Sequence, residues 1–217
     1  MLDLLLPQRC VVCGQRGVQL CESCVARLPR IEPPLCERCG LPTAWSVRRC
    51  RDCAGRRLAF VTARSAVYYD DAVRSLVAAW KERALRRLAA PAVSLMIEVI
   101  PAPRAVAVTF VPPDPDRGLE RGHDPPRQLA EALAREWELP LVAPLRRRAA
   151  KRQRGLARAE RRRNVTGVFS AKHAAPRSLA LVDDVFTSGA TANAAASALR
   201  KAGAARVEVV TFARVVR

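Results

Sequence analysis

The fold of this chain follows from one segment, Leu179-Ala-Leu-Val-Asp-Asp-Val-Phe-Thr-Ser-Gly-Ala-Thr191. Its apolar first part is typical of a buried strand, and it runs into two carboxylates. A small turn rich in hydroxyls and glycine follows, and an alanine-rich helix begins after it. The segment therefore predicts a strand, a tight turn and a helix in direct succession, which is the repeating unit of an α/β sheet.

The turn of this segment has the chemistry of a ribose-phosphate site. Backbone N–H groups from Thr187 to Thr191, at the start of a helix, can hold a phosphate. The hydroxyls of Thr187, Ser188 and Thr191 can add donors. Asp183 and Asp184 can accept hydrogen bonds from vicinal sugar hydroxyls, or help to hold Mg²⁺ through water. An ordinary strand–turn–helix with a Thr or Ser N-cap is the alternative, but capping does not explain two adjacent carboxylates.

The chain beyond residue 57 alternates between strand and helix patterns. Apolar and β-branched runs predict strands at residues 63–69, 105–111, 178–182 and 206–212. Helical spacing of apolar residues predicts helices at residues 71–88, 92–100, 127–138 and 191–202. Because strands that alternate with helices form parallel sheets, we expect a doubly wound α/β domain over residues 58–217.

The eight cysteines of the chain form four Cys-x-x-Cys pairs, all before residue 54. They are Cys10, Cys13, Cys21, Cys24, Cys36, Cys39, Cys50 and Cys53. Two residues between cysteines let a tight turn aim both sulfurs at one ion, and four thiolates complete the closed shell of a structural Zn²⁺. The simplest pairing gives one ion to the first four cysteines and another to the last four, as a double zinc ribbon over residues 1–57. An interleaved pairing stays open, and a disulfide framework is the less favoured alternative.

The sequence has the features of a cytoplasmic protein. No run approaches the roughly 20 apolar residues of a membrane span. The first residues, Met1 to Pro7, lack the basic region and the long apolar run of a signal peptide. We therefore expect no membrane span and a cytoplasmic location, which also favours metal-bound over disulfide-bonded cysteines.

Positive charge is unevenly distributed along the chain. The 38 Lys+Arg and 20 Asp+Glu residues give a net charge of +18. Residues 146–163 hold ten basic and one acidic residue, which is half of that excess. A solvated basic helix and a contact with nucleic-acid phosphates are two interpretations of this run.

Stacking surface for single-stranded nucleic acid is weakly represented, because aromatic residues are only 5% of the chain. One basic–aromatic cluster combines Trp45 and Phe60, near the cysteine pairs, with five arginines. These are Arg48, Arg49, Arg51, Arg56 and Arg57. The cluster is the second region where the sequence points to an anionic partner.

Segment 179–191 resembles the phosphoribosyl-pyrophosphate (PRPP) motif of type I phosphoribosyltransferases. The resemblance implies that Asp183 and Asp184 hold the ribose diol, that residues 187–191 cradle the 5-phosphate, and that Mg²⁺ binds with PRPP. The implied PRPP-binding residues are Asp183, Asp184, Val185, Thr187, Ser188, Gly189, Ala190 and Thr191.

Cysteine pairs followed by such a domain are similar to the ComF family, which is associated with competence and DNA uptake. Other family-like features are Leu4-Leu-Leu-Pro7, Trp80-Lys81, Arg121-Gly122, Gln153 and the run from Glu160 to Phe169. The resemblance implies a double zinc ribbon followed by a phosphoribosyltransferase-like domain. It also implies PRPP, single-stranded DNA and a competence helicase as candidate partners.

The family pattern changes at the turn after the second strand, where related enzymes bind pyrophosphate. The implied pyrophosphate loop is Val111-Pro112-Pro113, and Asp114 follows it in place of the usual apolar turn. A carboxylate beside pyrophosphate is electrostatically unfavourable, so we expect weaker pyrophosphate binding. The resemblance also makes residues 146–163 a mobile catalytic loop that supplies cations to the departing pyrophosphate. Its candidate catalytic residues are Lys151, Arg152, Arg161 and Arg162, with Arg154 a further candidate.

Two classes of function follow from the sequence and the resemblance. In the first, the protein is a ComF-type PRPP-binding protein that acts in DNA uptake. In the second, it is an active Mg²⁺-dependent phosphoribosyltransferase that transfers ribose 5-phosphate to a base or an amine, with no role in DNA processing. No motif in the chain identifies the acceptor.

Overall fold

A parallel sheet organises the larger part of the molecule. The computed structural model describes residues 8–115, 122–148 and 167–216. Its central strands are β1 (Thr62–Tyr68), β2 (Ala107–Phe110), β5 (Ser178–Phe186) and β6 (Arg206–Arg214). They lie in the order β1-β6-β5-β2, and every neighbouring pair is parallel. A separate antiparallel hairpin is formed by β3 (Leu145–Arg147) and β4 (Phe169–Ala171).

Helices connect the strands. They are α1 (Glu22–Arg27), α2 (Asp71–Glu82), α3 (Ala89–Val99), α4 (Pro125–Glu136) and α5 (Ala190–Lys201), with a 3₁₀ turn at Arg86–Leu88. Asp70 caps α2 by accepting a hydrogen bond from Val73 N at 2.8 Å, and Asp124 caps α4 from Arg127 N at 3.1 Å. Such caps satisfy backbone donors that a helix cannot pair by itself. Within the described ranges, no helix is long and apolar enough to cross a membrane.

The sheet is covered on both faces, as expected for a doubly wound fold. One hydrophobic cluster packs α2, α3 and α4 on the first face, and its largest buried side chains include Trp80, Leu129 and Phe212. The other cluster packs α5 and the hairpin on the second face, around Leu181 and Leu199. The predicted α/β class and the parallel sheet are therefore confirmed.

The second half of the cysteine-rich segment shares its core with the sheet. All four cysteines from Cys36 to Cys53 belong to the cluster on the second face. Ala63 N, in β1, donates to Arg38 O at 3.0 Å, and a Cβ at Gly40 would overlap the Ala63 carbonyl. This close backbone approach requires glycine, and it fixes the second ribbon against the edge strand β1.

Two of the predicted elements are wrong in extent. The helix predicted at 71–88 ends at Glu82, because Ala84 has a positive φ of 53° that interrupts the helical path before the 3₁₀ turn. The strand predicted at 178–182 continues to Phe186, because Asp183 and Val185 still pair with β6. The other predicted elements are found with ends shifted by no more than three residues.

Candidate functional site

The turn between β5 and α5 is shaped by an aromatic ring beneath it. Gly189 is the N-cap of α5 with a left-handed φ of 71°. A Cβ on Gly189 would lie 2.5 Å from Cζ of Phe186, so a larger residue there requires the ring to shift. Thr187 and Ser188 are exposed on the turn. The N-cap Gly189 has no side chain to cap α5, and the first N–H of the helix, on Ala190, donates weakly to Ser188 Oγ at 3.4 Å. The N–H groups at this helix start lie at the turn, where an anion can be bound.

The two aspartates lie in the last part of β5, beside a lysine from another element. Lys81 Nζ, in the last turn of α2, is 2.6 Å from Asp184 Oδ2, and this pair is largely buried. Asp183 Oδ1 accepts from the backbone N–H of Asp184 at 2.9 Å. Desolvation and the adjacent Asp184 carboxylate raise the pKa of Asp183 to about 8.

Burial and the Asp184 carboxylate therefore raise the pKa of Asp183 more than Lys81 and Arg147 lower it. A divalent cation or sugar hydroxyls would stabilise the ionised form. Carboxylate oxygens are also the ligands that Mg²⁺ prefers. The residues present therefore fit a Mg²⁺ ion bound together with an anionic ligand.

The implied pyrophosphate loop lies next to the aspartates because β2 is the neighbour of β5. Val111 N donates to Val182 O at 2.9 Å, one residue before Asp183. Asp114 Oδ2 is 3.6 Å from Arg147 Nη2, and both side chains are mostly buried. The carboxylate expected to repel pyrophosphate is therefore paired with a cation from β3.

Arg147 is part of the basic run of residues 146–163 and is the last residue of β3, the first strand of the hairpin. Its guanidinium stacks 5.5 Å from the ring centroid of Phe169, in β4. The candidate catalytic residues of the run lie outside the described residues: Lys151, Arg152, Arg154, Arg161 and Arg162. Lys81 and Arg147 were not predicted as site residues from the sequence, although Trp80-Lys81 is a family-like pair and Arg147 lies in the basic run.

The cysteines form two four-sulfur clusters in the sequential pairing. The first consists of Cys10, Cys13, Cys21 and Cys24, and the second of Cys36, Cys39, Cys50 and Cys53. The ligand atoms of each set lie within 4.8 Å of one another, and individual S···S distances are 3.4 to 3.7 Å. A zinc tetrahedron with bonds of about 2.3 Å has sulfur–sulfur edges of about 3.8 Å, whereas a disulfide is about 2.05 Å long. Both clusters therefore fit Zn²⁺, and the disulfide and interleaved alternatives are wrong.

Hydrogen bonds favour the thiolate form of one cysteine in each cluster, whereas burial raises the pKa of Cys24, Cys39 and Cys53. The hydroxyl of Ser23 lies 3.3 Å from Cys21 Sγ and is the main cause that lowers the pKa of Cys21 to about 6. Cys50 N donates to Cys36 Sγ at 3.2 Å. Such donors are typical of metal-binding sulfurs, because they favour the deprotonated form that binds the ion.

The predicted basic–aromatic cluster is only partly present. Phe60 is fully buried and meets the ring of Phe186 edge-on at 6.2 Å, so it offers no stacking surface. Trp45, by contrast, is 71% exposed. The exposed arginines on the same ribbon are Arg48, Arg49, Arg51 and Arg57. Arg56 points elsewhere, since its Nη2 donates to Ser188 O at 3.0 Å.

Comparison with known proteins found a family match for the first part of the chain and relatives that cover nearly all of it. Residues 1–54 match the double zinc ribbon domain family. Competence protein F of Haemophilus influenzae is 28% identical, over 95% of this chain and 96% of that protein. Competence protein ComFC of Bacillus subtilis is 29% identical, over 90% of this chain and 84% of that protein. The DNA utilization protein YhgH of Escherichia coli is 28% identical, over 97% of this chain and 99% of that protein. The crystal structure of orotate phosphoribosyltransferase from Aeropyrum pernix aligns with a TM-score of 0.37 and 24% identity, over 68% of this chain and 67% of that one.

Proposed function

We propose, on the premise that this chain is a homologue of the competence and DNA utilization proteins, that it binds PRPP with Mg²⁺ and acts in DNA uptake or use. One observation carries the proposal. A single sheet edge brings together the Asp183–Asp184 pair, the turn 187–191, and two cations, Lys81 and Arg147. The aspartates suit the ribose diol of PRPP, the turn suits its 5-phosphate, and the two cations suit its pyrophosphate.

Each group has a role that follows from its chemistry. Asp183 and Asp184 accept hydrogen bonds from the two sugar hydroxyls, and the N–H groups at the start of α5 donate to the phosphate. Lys81 holds the Asp184 carboxylate, and its ammonium group lies beside the proposed pyrophosphate position. Mg²⁺ bound with PRPP supplies further positive charge to the pyrophosphate.

The alternative is that the protein also transfers ribose 5-phosphate to a base or an amine. Asp114 was the feature that argued most directly against pyrophosphate binding. Its pairing with Arg147 reduces that repulsion, which supports keeping catalysis as the second proposal.

Two further proposals concern the organisation and the location of the protein. The chain divides into a ribbon unit, residues 1–57, and a phosphoribosyltransferase-like unit, residues 58–217. The proposed location is the cytoplasm.

Single-stranded DNA is proposed as a further partner, because one specific surface fits it. The exposed indole of Trp45 offers a stacking platform on the same ribbon as four exposed arginines. Stacking on an aromatic side chain combined with contacts to backbone phosphates is the usual mode of single-strand binding. A competence helicase stays a candidate partner from the resemblance alone.

Calorimetric titration with Mg²⁺–PRPP tests the main proposal. We expect the wild-type protein to bind, and the Asp183→Asn/Asp184→Asn variant to lose affinity by about 100-fold or more, since hydrogen bonds to charged groups are worth about 1.5–3 kcal/mol each. The matched control is Asp71→Asn/Glu136→Gln, which removes two exposed carboxylates and leaves affinity unchanged.

The same proteins separate the other candidates. Pyrophosphate released when a base or an amine is added would support the enzyme. Single-stranded DNA binding that weakens steeply with salt, and equally in wild type and in the aspartate variant, would support the ribbon surface. A wild-type protein that does not bind PRPP would contradict the proposal for the 183–191 segment.

A further inference from the structure

A buried arginine lies between the second cysteine cluster and the phosphate turn. Arg214, at the end of β6, is only 4% exposed. Its Nη1 donates to Cys39 O at 2.6 Å, and its Nη2 lies 3.8 Å from Cys39 Sγ. In the part of the chain that the structure describes, the ion pairs do not include Arg214. A buried guanidinium without a carboxylate needs another counter-charge.

The loaded second cluster supplies that counter-charge. Four thiolates around Zn²⁺ carry a net charge of −2, and all four cysteines of this cluster are buried. One of these sulfurs, on Cys39, lies against Arg214. Metal in the second cluster would therefore hold the Arg214 guanidinium in place, whereas the cysteines of the first cluster lie in a separate hydrophobic cluster.

Arg214 also contacts the ring beneath the turn. Its guanidinium carbon is 4.6 Å from the ring centroid of Phe186, at cation–π distance. The same ring forms the floor under Gly189. A second link runs from the ribbon to the turn, because Arg56 donates to Ser188 O at 3.0 Å. The phosphate turn therefore contacts the second ribbon directly through Arg56, and indirectly through Phe186 and Arg214.

We propose that Arg214 and Phe186 are positioning residues through which zinc in the second cysteine cluster raises the affinity of the 187–191 turn for a ribose 5-phosphate group. The inference rests on the proposed function. Coupling between two ligands is reciprocal, so the ribose phosphate raises the affinity of the second cluster for zinc by the same factor. The coupling factor is expected to be about 10-fold, within the usual range for such effects.

Binding measurements on two variants test the first direction of the coupling. Phe186→Leu and Arg214→Met, each checked for two bound zinc ions and titrated well below its melting temperature, should bind Mg²⁺–PRPP about 10-fold more weakly than wild type. Phe212→Leu is the matched control, since Phe212 is a buried phenylalanine of β6 that packs on the opposite face. It should lower the melting temperature and leave the Kd for PRPP unchanged, as a purely structural residue does.

Zinc competition in the intact wild-type protein tests the reverse direction. The affinity for each of the two zinc ions is measured against a chelator of known affinity, with and without ribose 5-phosphate. One ion should be held about 10-fold more tightly with ribose 5-phosphate, and the effect should persist in Cys10→Ser/Cys13→Ser, which keeps only the second site. Arg214→Met should lose the effect.

The outcomes distinguish this inference from the proposed function. Wild type that binds PRPP, with unchanged Kd in Phe186→Leu and Arg214→Met and no effect of ribose 5-phosphate on zinc affinity, would overturn the inference and leave the proposed function standing. Wild type that does not bind PRPP would overturn both. Weaker binding in Phe212→Leu to the same extent would also overturn the inference, because loss of packing would then explain the change.

Discussion

Gly189 and Phe186 illustrate how two residues shape the candidate site. The turn that could hold a phosphate closes directly over an aromatic ring, and the residue above the ring has a φ of 71°. Glycine is required there for two separate reasons, the left-handed backbone and the missing space for a Cβ. Most other glycines of the described chain with positive φ meet only the first requirement, which allows the two effects to be separated by mutation.

Gly189→Ala should be more destabilising than Gly14→Ala. Gly14 has a similar φ of 78° but open space around it, so alanine there costs only the strain of a left-handed residue, about 1–2 kcal/mol. At Gly189 the contact with Phe186 adds about 1–3 kcal/mol of overpacking. Denaturant unfolding of both variants measures the difference. Equal losses would show that the Phe186 ring moves aside freely.

Among the helices, α2 shows where a periodic pattern and the backbone disagree. Leu85 and Leu88 continue the apolar spacing of the helix and do reach the core, Leu88 being 1% exposed. The chain nevertheless leaves the helix after Glu82 and re-enters a helical turn four residues later. Apolar spacing therefore predicted burial correctly, and it could not detect the interruption because a short irregular link preserves the same face.

Because the helix is interrupted at Ala84, replacing alanine by glycine should change the stability of the protein in opposite directions at Ala84 and at Ala78, inside α2. Ala84→Gly should stabilise the protein by about 0.5–1 kcal/mol, because it relieves a left-handed alanine at an exposed position and the entropic cost of glycine offsets only part of the gain. Ala78→Gly, inside α2, should destabilise it by about 1 kcal/mol. Unfolding free energies of the two variants check the signs, and a loss at both positions would argue against strain at Ala84.

At the scale of the whole molecule, the two cysteine clusters contribute unequally to the stability of the fold. Among the described residues, the first cluster has a small core of three buried cysteines and two partly buried neighbours, one of which, Leu20, also packs against the core on the first face of the sheet. The second belongs to the cluster that covers one face of the sheet. Metal binding supplies folding free energy to any segment that is too small to fold alone. Loss of the second ion should therefore destabilise the sheet as well as its own ribbon, and lower stability more than loss of the first ion does.

Zinc-site variants and chelation check this difference. Cys10→Ser/Cys13→Ser should lose one zinc equivalent and keep a cooperative unfolding transition of the sheet. Cys36→Ser/Cys39→Ser should lower the melting temperature by more than 10 °C or prevent folding, since the metal contributes about 10 kcal/mol or more to such sites. Circular dichroism and zinc content are the measurements. Strong chelation that releases no zinc and leaves the dichroism unchanged would contradict a structural role for both ions.

The local chemistry of this protein could be read from its sequence alone. The four Cys-x-x-Cys pairs, the alternation of strands and helices, and the two aspartates before the 187–191 turn are all patterns within short segments. Spacing of a few residues is enough to set the geometry of a metal knuckle or of a strand–turn–helix unit. These features predicted the fold class, the sequential cysteine clusters and the location of the candidate site.

Contacts between distant elements were decided only by the tertiary structure. Arg214 and Cys39 are 175 positions apart, and Lys81 and Asp184 meet across α2 and β5. Arg147 reaches Asp114 from a hairpin outside the central sheet. Strand order and helix packing determine which of many arginines and lysines meet a given carboxylate or thiolate. Composition and spacing carry no information on that choice, because the pairing depends on how separate elements are arranged in space.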